Sequence, residues 1–128
     1  MNIVIIGSGG REHALCYKLL KSSKINKIYC IPGNAGTDEI ATNIFADIND
    51  FDEIYKIVLK LNVELIVVGP EIPLVNGIVD YFEKKNIKIF GPNKKCSQLE
   101  GSKFFMKNIC KKYNIPSCLL YTSDAADD

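Results

Sequence analysis

The chain has almost no net charge, a single histidine, no paired cysteines and no long apolar run. Its 16 basic and 15 acidic side chains leave a formal charge of +1. That balance withholds the clearly basic face that nucleic acid demands. No apolar stretch approaches the ~20 residues of a membrane-spanning helix. Met1-Asn2 lead straight into a short apolar run and then glycines, which is not the layout of a secretory signal. The cysteines (Cys16, Cys30, Cys96, Cys110 and Cys118) are odd in number, scattered and never spaced C-x-x-C. This excludes a disulfide framework and a zinc site and points to a reduced, cytoplasmic setting. What remains is an ordinary globular composition, 47% hydrophobic and 24% charged in 128 residues. One domain is the natural count, and about two-thirds of the unfolded chain's surface can be buried.

Ile3-Val4-Ile5-Ile6 is an unbroken apolar, β-branched run ending at Gly7, as expected of a strand covered on both faces. Residues 11–22 read as a helix with Ala14, Leu15, Tyr17, Leu19 and Leu20 as its apolar stripe. A strand follows at 27–31, and Ile44-Phe45-Ala46 reads as a weak third one. Asn49 or Asp50 caps a helix carrying Phe51, Ile54, Ile57, Val58 and Leu61 at helical spacing. Leu65-Ile66-Val67-Val68 is the next strand, 73–86 the next helix, and Ile87-Lys88-Ile89-Phe90 the last strand. Residues 95–113 are helical in pattern, with a break at Glu100-Gly101-Ser102. Alternating strands and helices give an α/β fold, a doubly wound parallel sheet of about five strands with right-handed crossovers. Ligands in such sheets bind beyond the carboxyl ends of the strands.

The loops at those ends carry the chemistry. Gly7-Ser8-Gly9-Gly10-Arg11-Glu12-His13 joins a strand to a helix, so backbone amides and the helix dipole favour an anion, above all a phosphate. A tight turn with no guest is the plain alternative. Glu12 stands where a dinucleotide fingerprint needs its third glycine, and Pro32-Gly33-Asn34 stands where that site needs an acid. Nicotinamide cofactors are therefore disfavoured. Arg11 suits a phosphate through paired N–H donors, though Arg11 and Glu12 also suit a solvated first turn. His13 reads first as a packing residue. Pro32-Gly33-Asn34-Ala35-Gly36-Thr37 offers small residues, an amide and a hydroxyl, which suits a sugar ring. Gly69-Pro70-Glu71 sets one carboxylate at a strand end, either for ribose hydroxyls or an amine, or simply as a helix N-terminal charge. Lys103 opens a helix, against the dipole, which hints at a phosphate partner.

Taken together, Gly9-Gly10-Arg11-Glu12-His13-Ala14, Pro32-Gly33-Asn34-Ala35-Gly36-Thr37, Val68-Gly69-Pro70-Glu71, Pro73-Leu74-Val75, Phe90-Gly91-Pro92 and Leu99-Glu100-Gly101-Ser102-Lys103 closely resemble the phosphoribosylamine–glycine ligase family of the ATP-grasp superfamily. The resemblance covers residues 1–117. It implies a ligase of de novo purine synthesis, in which ATP phosphorylates glycine and the ribosylamine nitrogen attacks the acyl phosphate. It implies that residues 1–100 are the Rossmann-like pre-ATP-grasp domain that holds phosphoribosylamine. The expected contacts are Gly9, Gly10, Arg11 and Glu12 to the phosphate; Asn34, Ala35, Gly36 and Thr37 to the sugar; and Gly69, Pro70 and Glu71 to ribose or amine. Lys103 matches a lysine that contacts ATP phosphates, and residues 101–117 begin the ATP-grasp domain. The resemblance also implies Mg²⁺ or Mn²⁺, a monomeric parent, and small-molecule partners only (phosphoribosylamine, glycine and ATP). No residue here is expected to be catalytic or to bind the metal, and the chain alone is expected to be inactive. Another ATP-grasp carboxylate–amine ligase, or a sugar-phosphate-binding module without catalysis, are the alternatives.

Residues 118–128 depart from this pattern. Cys118-Leu-Leu-Tyr-Thr-Ser-Asp-Ala-Ala-Asp looks like the translation of a transposase library adapter, since TGT CTC TTA TAC ACA TCT GAC GCT GCC GAC encodes it. The expectation is an artefact tail on a truncated gene fragment, with a genuine divergent tail as the alternative. A helix over 102–113 is then expected to show an apolar face that a following domain would cover.

Overall fold

The computed structural model describes residues 1–118, so nearly all of the expected adapter tail lies outside the described residues. The apolar runs form β1 (Asn2–Gly7), β2 (Lys27–Pro32), β3 (Thr42–Asn43), β4 (Leu65–Val68) and β5 (Ile89–Phe90). All pairings are parallel, in the order β3-β2-β1-β4-β5. The helices are α1 (Gly10–Leu19), α2 (Ala35–Ile40), α3 (Phe51–Lys60), α4 (Glu71–Val75), α5 (Ile78–Glu83), α6 (Lys94–Gly101) and α7 (Lys103–Lys112). The chain leaves β1 toward β2 on one side and resumes with β4 on the other, so the sheet's order reverses between β1 and β4.

Both faces of the sheet are covered, which is why its strands are apolar without alternation. Ile3, Ile5, Ile28 and Cys30 pack on one face with Cys16 of α1. Val4, Ile6, Ile31, Ile66 and Val68 pack on the other with Ile54 and Val58 of α3 and Ile78, Val79 and Phe82 of α5. Successive strand residues point to opposite sides, so β1 divides its side chains between two cores. Register then levels the strand ends: Gly7 pairs with Pro32, and Ile6 with Val68. The loops after β1, β2 and β4 therefore leave the sheet at one height.

Several expected boundaries move. The third strand is Thr42–Asn43, not 44–46, because only the amide of Ile44 still reaches back to the Cys30 carbonyl and Phe45 faces solvent. The single helix expected over 73–86 is two, α4 and α5, separated at Asn76-Gly77, where Gly77 adopts φ +93°. The stripe on α1 is also different. Cys16 and Glu12 are its buried residues, whereas Ala14, Tyr17 and Leu20 are exposed. The segment expected as a sugar-facing loop contains α2, capped by Asn34. Asp50 caps α3 by accepting the Glu53 amide at 3.1 Å.

Candidate functional site

Three loops meet where the sheet order reverses. Loop 1 runs from Gly7 into α1, and loop 2 from Pro32 into α2. Loop 3 is Gly69-Pro70, running into Glu71 at the start of α4. Asn34 ties the first two together. Its Nδ2 donates to the carbonyls of Ser8 (2.9 Å) and Gly9 (3.2 Å), while its Oδ1 accepts the Thr37 amide at 2.9 Å. Thr37 answers by accepting the Asn34 amide at 2.8 Å, completing a reciprocal cap. Thr37 is expected to face the sugar, yet it is 0% exposed, and its hydroxyl donates to Asn43 Oδ1 at 2.7 Å. Its work is to hold loop 2 in shape. Asn43 supplies the other end of that brace, its Nδ2 donating to the Asn34 carbonyl at 2.8 Å.

Sequence reasoning missed Asn43. Its signal was the glycine it requires: Gly33 sits at φ +73°, and a Cβ there would stand 2.1 Å from Asn43 Oδ1. Only a residue without a side chain satisfies both conditions.

Glu12 turns inward. Its carboxylate Oε2 accepts the Gly9 amide at 2.7 Å, and the residue is 4% exposed. The Gly9 amide is thereby occupied, which leaves the first-turn amides of Gly10 and Arg11, with no carbonyl one turn back, as the loop 1 donors without an intrahelical acceptor. Glu12 thereby fixes Gly9 within loop 1. Its Oε1 has no hydrogen-bond partner among the described residues and lies 3.6 Å from Arg11 Nε, an ion pair too long for a hydrogen bond. Gly69 makes this possible, since a Cβ there would lie 1.8 Å from Oε1. Loops 1 and 3 thus meet through a side chain that only glycine accommodates.

The remaining candidates are exposed or partly so. Arg11 is open to solvent beside the loop 1 amides, and Ala35 and Gly36 begin α2. His13 packs against Gly36, where a Cβ would meet the ring at 2.6 Å, so the one histidine seals loop 1 to α2. Glu71 is exposed at the first position of α4, two residues beyond Gly69. Lys103 is exposed at the first position of α7, which Ser102 caps. Among the described residues no group of three or more His, Cys, Asp or Glu could hold a metal ion.

Residues 1–100 match the family model described as phosphoribosylglycinamide synthetase, N domain. The chain belongs to this family. Within it, the chain is 45% identical over 117 residues to the phosphoribosylamine–glycine ligase of Caldanaerobacter subterraneus, covering 91% of this chain and 28% of that one. It is 48% identical over 115 residues to that of Clostridium acetobutylicum, covering 90% and 28%. The crystal structure of the Thermotoga maritima phosphoribosylamine–glycine ligase superposes with a TM-score of 0.63 at 32% identity, over 93% of this chain and 26% of that one. The chain thus spans little more than a quarter of these relatives. As a synthetase N domain it has the expected doubly wound α/β sheet, and the motifs common to its loops converge on one edge.

Proposed function

We propose that this N domain holds the ribosylamine phosphate for an ATP-dependent carbon–nitrogen ligase that joins phosphoribosylamine to glycine in purine synthesis. The observation that carries the reading is the bridge from Asn34 to the Ser8 and Gly9 carbonyls, which ties two loops together at the sheet's reversal. In this assignment the Gly10 and Arg11 amides and the Arg11 guanidinium take the phosphate. Asn34, Ala35 and Gly36 line the sugar, with Thr37 bracing them from beneath. Glu71 takes the ribose hydroxyls or the amine, positioned by Gly69 and Pro70. Residues 1–100 form the substrate unit, which agrees with the reach of the family model. Residues 101–117 open the ATP-binding domain, with Lys103 facing ATP phosphate.

ATP and glycine are the co-substrates and the cytoplasm is the setting, with a monomeric parent. The described residues do not fit a Mg²⁺ or Mn²⁺ site, and no step here runs through one. What the chain's own groups do is bind and orient. A phosphate fixed on helix amides and a sugar fixed on loop 2 leave the amine directed by a carboxylate, which raises effective concentration at the reacting nitrogen. The chain alone is expected to form no product from ATP and glycine.

The test is a thermal-shift and calorimetric titration with ribose 5-phosphate. Binding raises the unfolding midpoint, whereas ribose with inorganic phosphate, or NAD, leaves it in place. Asn34→Ala should weaken ribose 5-phosphate at least tenfold and lower stability by about 1 kcal/mol through the lost cap. Binding unchanged in Asn34→Ala refutes the assignment.

A further inference from the structure

A cleft lies away from these loops. About 810 Å³ opens between α5 and the start of α6, with Phe51 and Tyr81 among its walls. A volume of this size is that of a small-molecule site. It arises because the Asn76-Gly77 turn separates α5 from α4, while α6 stays against α4 where Gly101 meets Val75.

The cleft gathers charge that the sequence as a whole lacks. Lys84, Lys85, Lys94 and Lys95 line it, with Asp80 as the one carboxylate. Asp80 Oδ2 is taken by the Lys94 amide at 2.8 Å, and Asp52 nearby is taken by the Tyr81 hydroxyl. The described ion pairs join Met1 to Glu64 and Arg11 to Glu12, and none includes these lysines. Lys85 is held over the rings of Tyr55 and Tyr81, at 4.5 and 5.0 Å. Lys94 and Lys95 occupy the first turn of α6, which contains no acid, so helix dipole and lysines repel one another. The amides of Lys94 and Cys96 already have acceptors in Asp80 and Asn93. The cleft therefore offers ammonium groups beside aromatic faces, Phe51 and Tyr81 lying 5.6 Å apart and tilted by 55°. Tyr81 adds no negative charge near neutral pH, where a phenol is protonated in any case, and its bond to Asp52 pushes it further up, to about 12.

We propose that this cleft is a second small-molecule site, which takes an aromatic anion of the nucleotide class. The planar ring lies against Phe51 and Tyr81, and the phosphate lies among Lys84, Lys85, Lys94 and Lys95. No bond forms or breaks there. This site is independent of the ribosylamine loops.

The test is an amide-resolved NMR titration of the 128-residue chain with AMP, with adenosine and inorganic phosphate as comparators. AMP should shift the amides of Phe51, Gly77, Lys84, Lys95 and Gln98 and bind at least tenfold more tightly there than either comparator. Lys84→Glu with Lys95→Glu should weaken AMP at least tenfold while the β1 and β4 amides keep their positions. Phe51→Leu, which keeps the apolar bulk, should weaken AMP and leave inorganic phosphate unchanged. Asn34→Ala should leave the cleft's response to AMP intact. Three results would each overturn the site: no shift in the cleft at millimolar AMP, equal binding of AMP and inorganic phosphate, or AMP shifts confined to the loops of Gly9 and Asn34.

Discussion

Glu12 and Gly69 are far apart in sequence and depend on each other in space. The carboxylate occupies the volume that any side chain at position 69 would need, between the ends of β1 and β4. Gly69→Ala must therefore expel a buried carboxylate that also anchors the Gly9 amide, at a cost of about 1–3 kcal/mol. In a Glu12→Ala background the three atoms nearest that methyl are gone, and the same substitution should cost under about 0.5 kcal/mol. Urea unfolding of the four proteins of this double-mutant cycle measures the coupling. Additive costs would show that the contact does not matter. The sequence marked Glu12 as a site residue but not its direction, because its neighbours Gly7 and Gly69 come from separate strands. Asn43 was illegible for a related reason: an amide on a short edge strand acquires meaning only once loop 2 folds back over it. Asn34 with Thr37 was readable in principle, since Asn-x-x-Thr is a reciprocal cap.

At the level of elements, what was legible followed from continuous apolar runs and caps. β1, β2 and β4 announce themselves because burial on both faces demands apolar residues at every position. α3 does so because Asp50 precedes a regular stripe. α2 was hidden by a composition of Ala, Gly and Thr that reads as loop, and its stability comes from Asn34 and packing rather than propensity. The break between α4 and α5 falls at Asn-Gly, a turn signal outweighed by the apolar residues on either side. α7 is the one helix among the described residues that buries no side chain. None of its residues is buried, and Phe104 is 67% exposed. Shortening the chain to end at Ser102 should therefore change the unfolding free energy by less than about 1 kcal/mol. It should also reduce association at high concentration, which gel filtration reads directly, because an exposed apolar stripe is removed. A loss of several kcal/mol would mean that α7 is part of the N domain's fold.

For the molecule as a whole, the two cores are joined through the strands they share, and β2 carries a titratable group into one of them. Cys30 is fully buried beside Cys16, and burial pushes its thiol from about 9 up to about 12, with Cys16 and Glu12 adding to the shift. Burial raises Cys16 as well. A raised thiol pKa means that the folded chain keeps a proton which the unfolded chain releases above pH 9. The stabilisation is complete below pH 9 and is lost as pH rises from there toward 12, at about 1.4 kcal/mol per pH unit for one such thiol. Tyr81, partly buried against the other core, acts in the same direction. Urea midpoints at pH 8 and pH 10 should thus separate clearly for the parent chain. The separation should shrink in Cys30→Ala, even though that variant starts from a lower stability. Equal slopes in the two proteins would show that Cys30 ionises as freely in the folded chain as in the unfolded one, and that the β2 core is open to solvent at high pH.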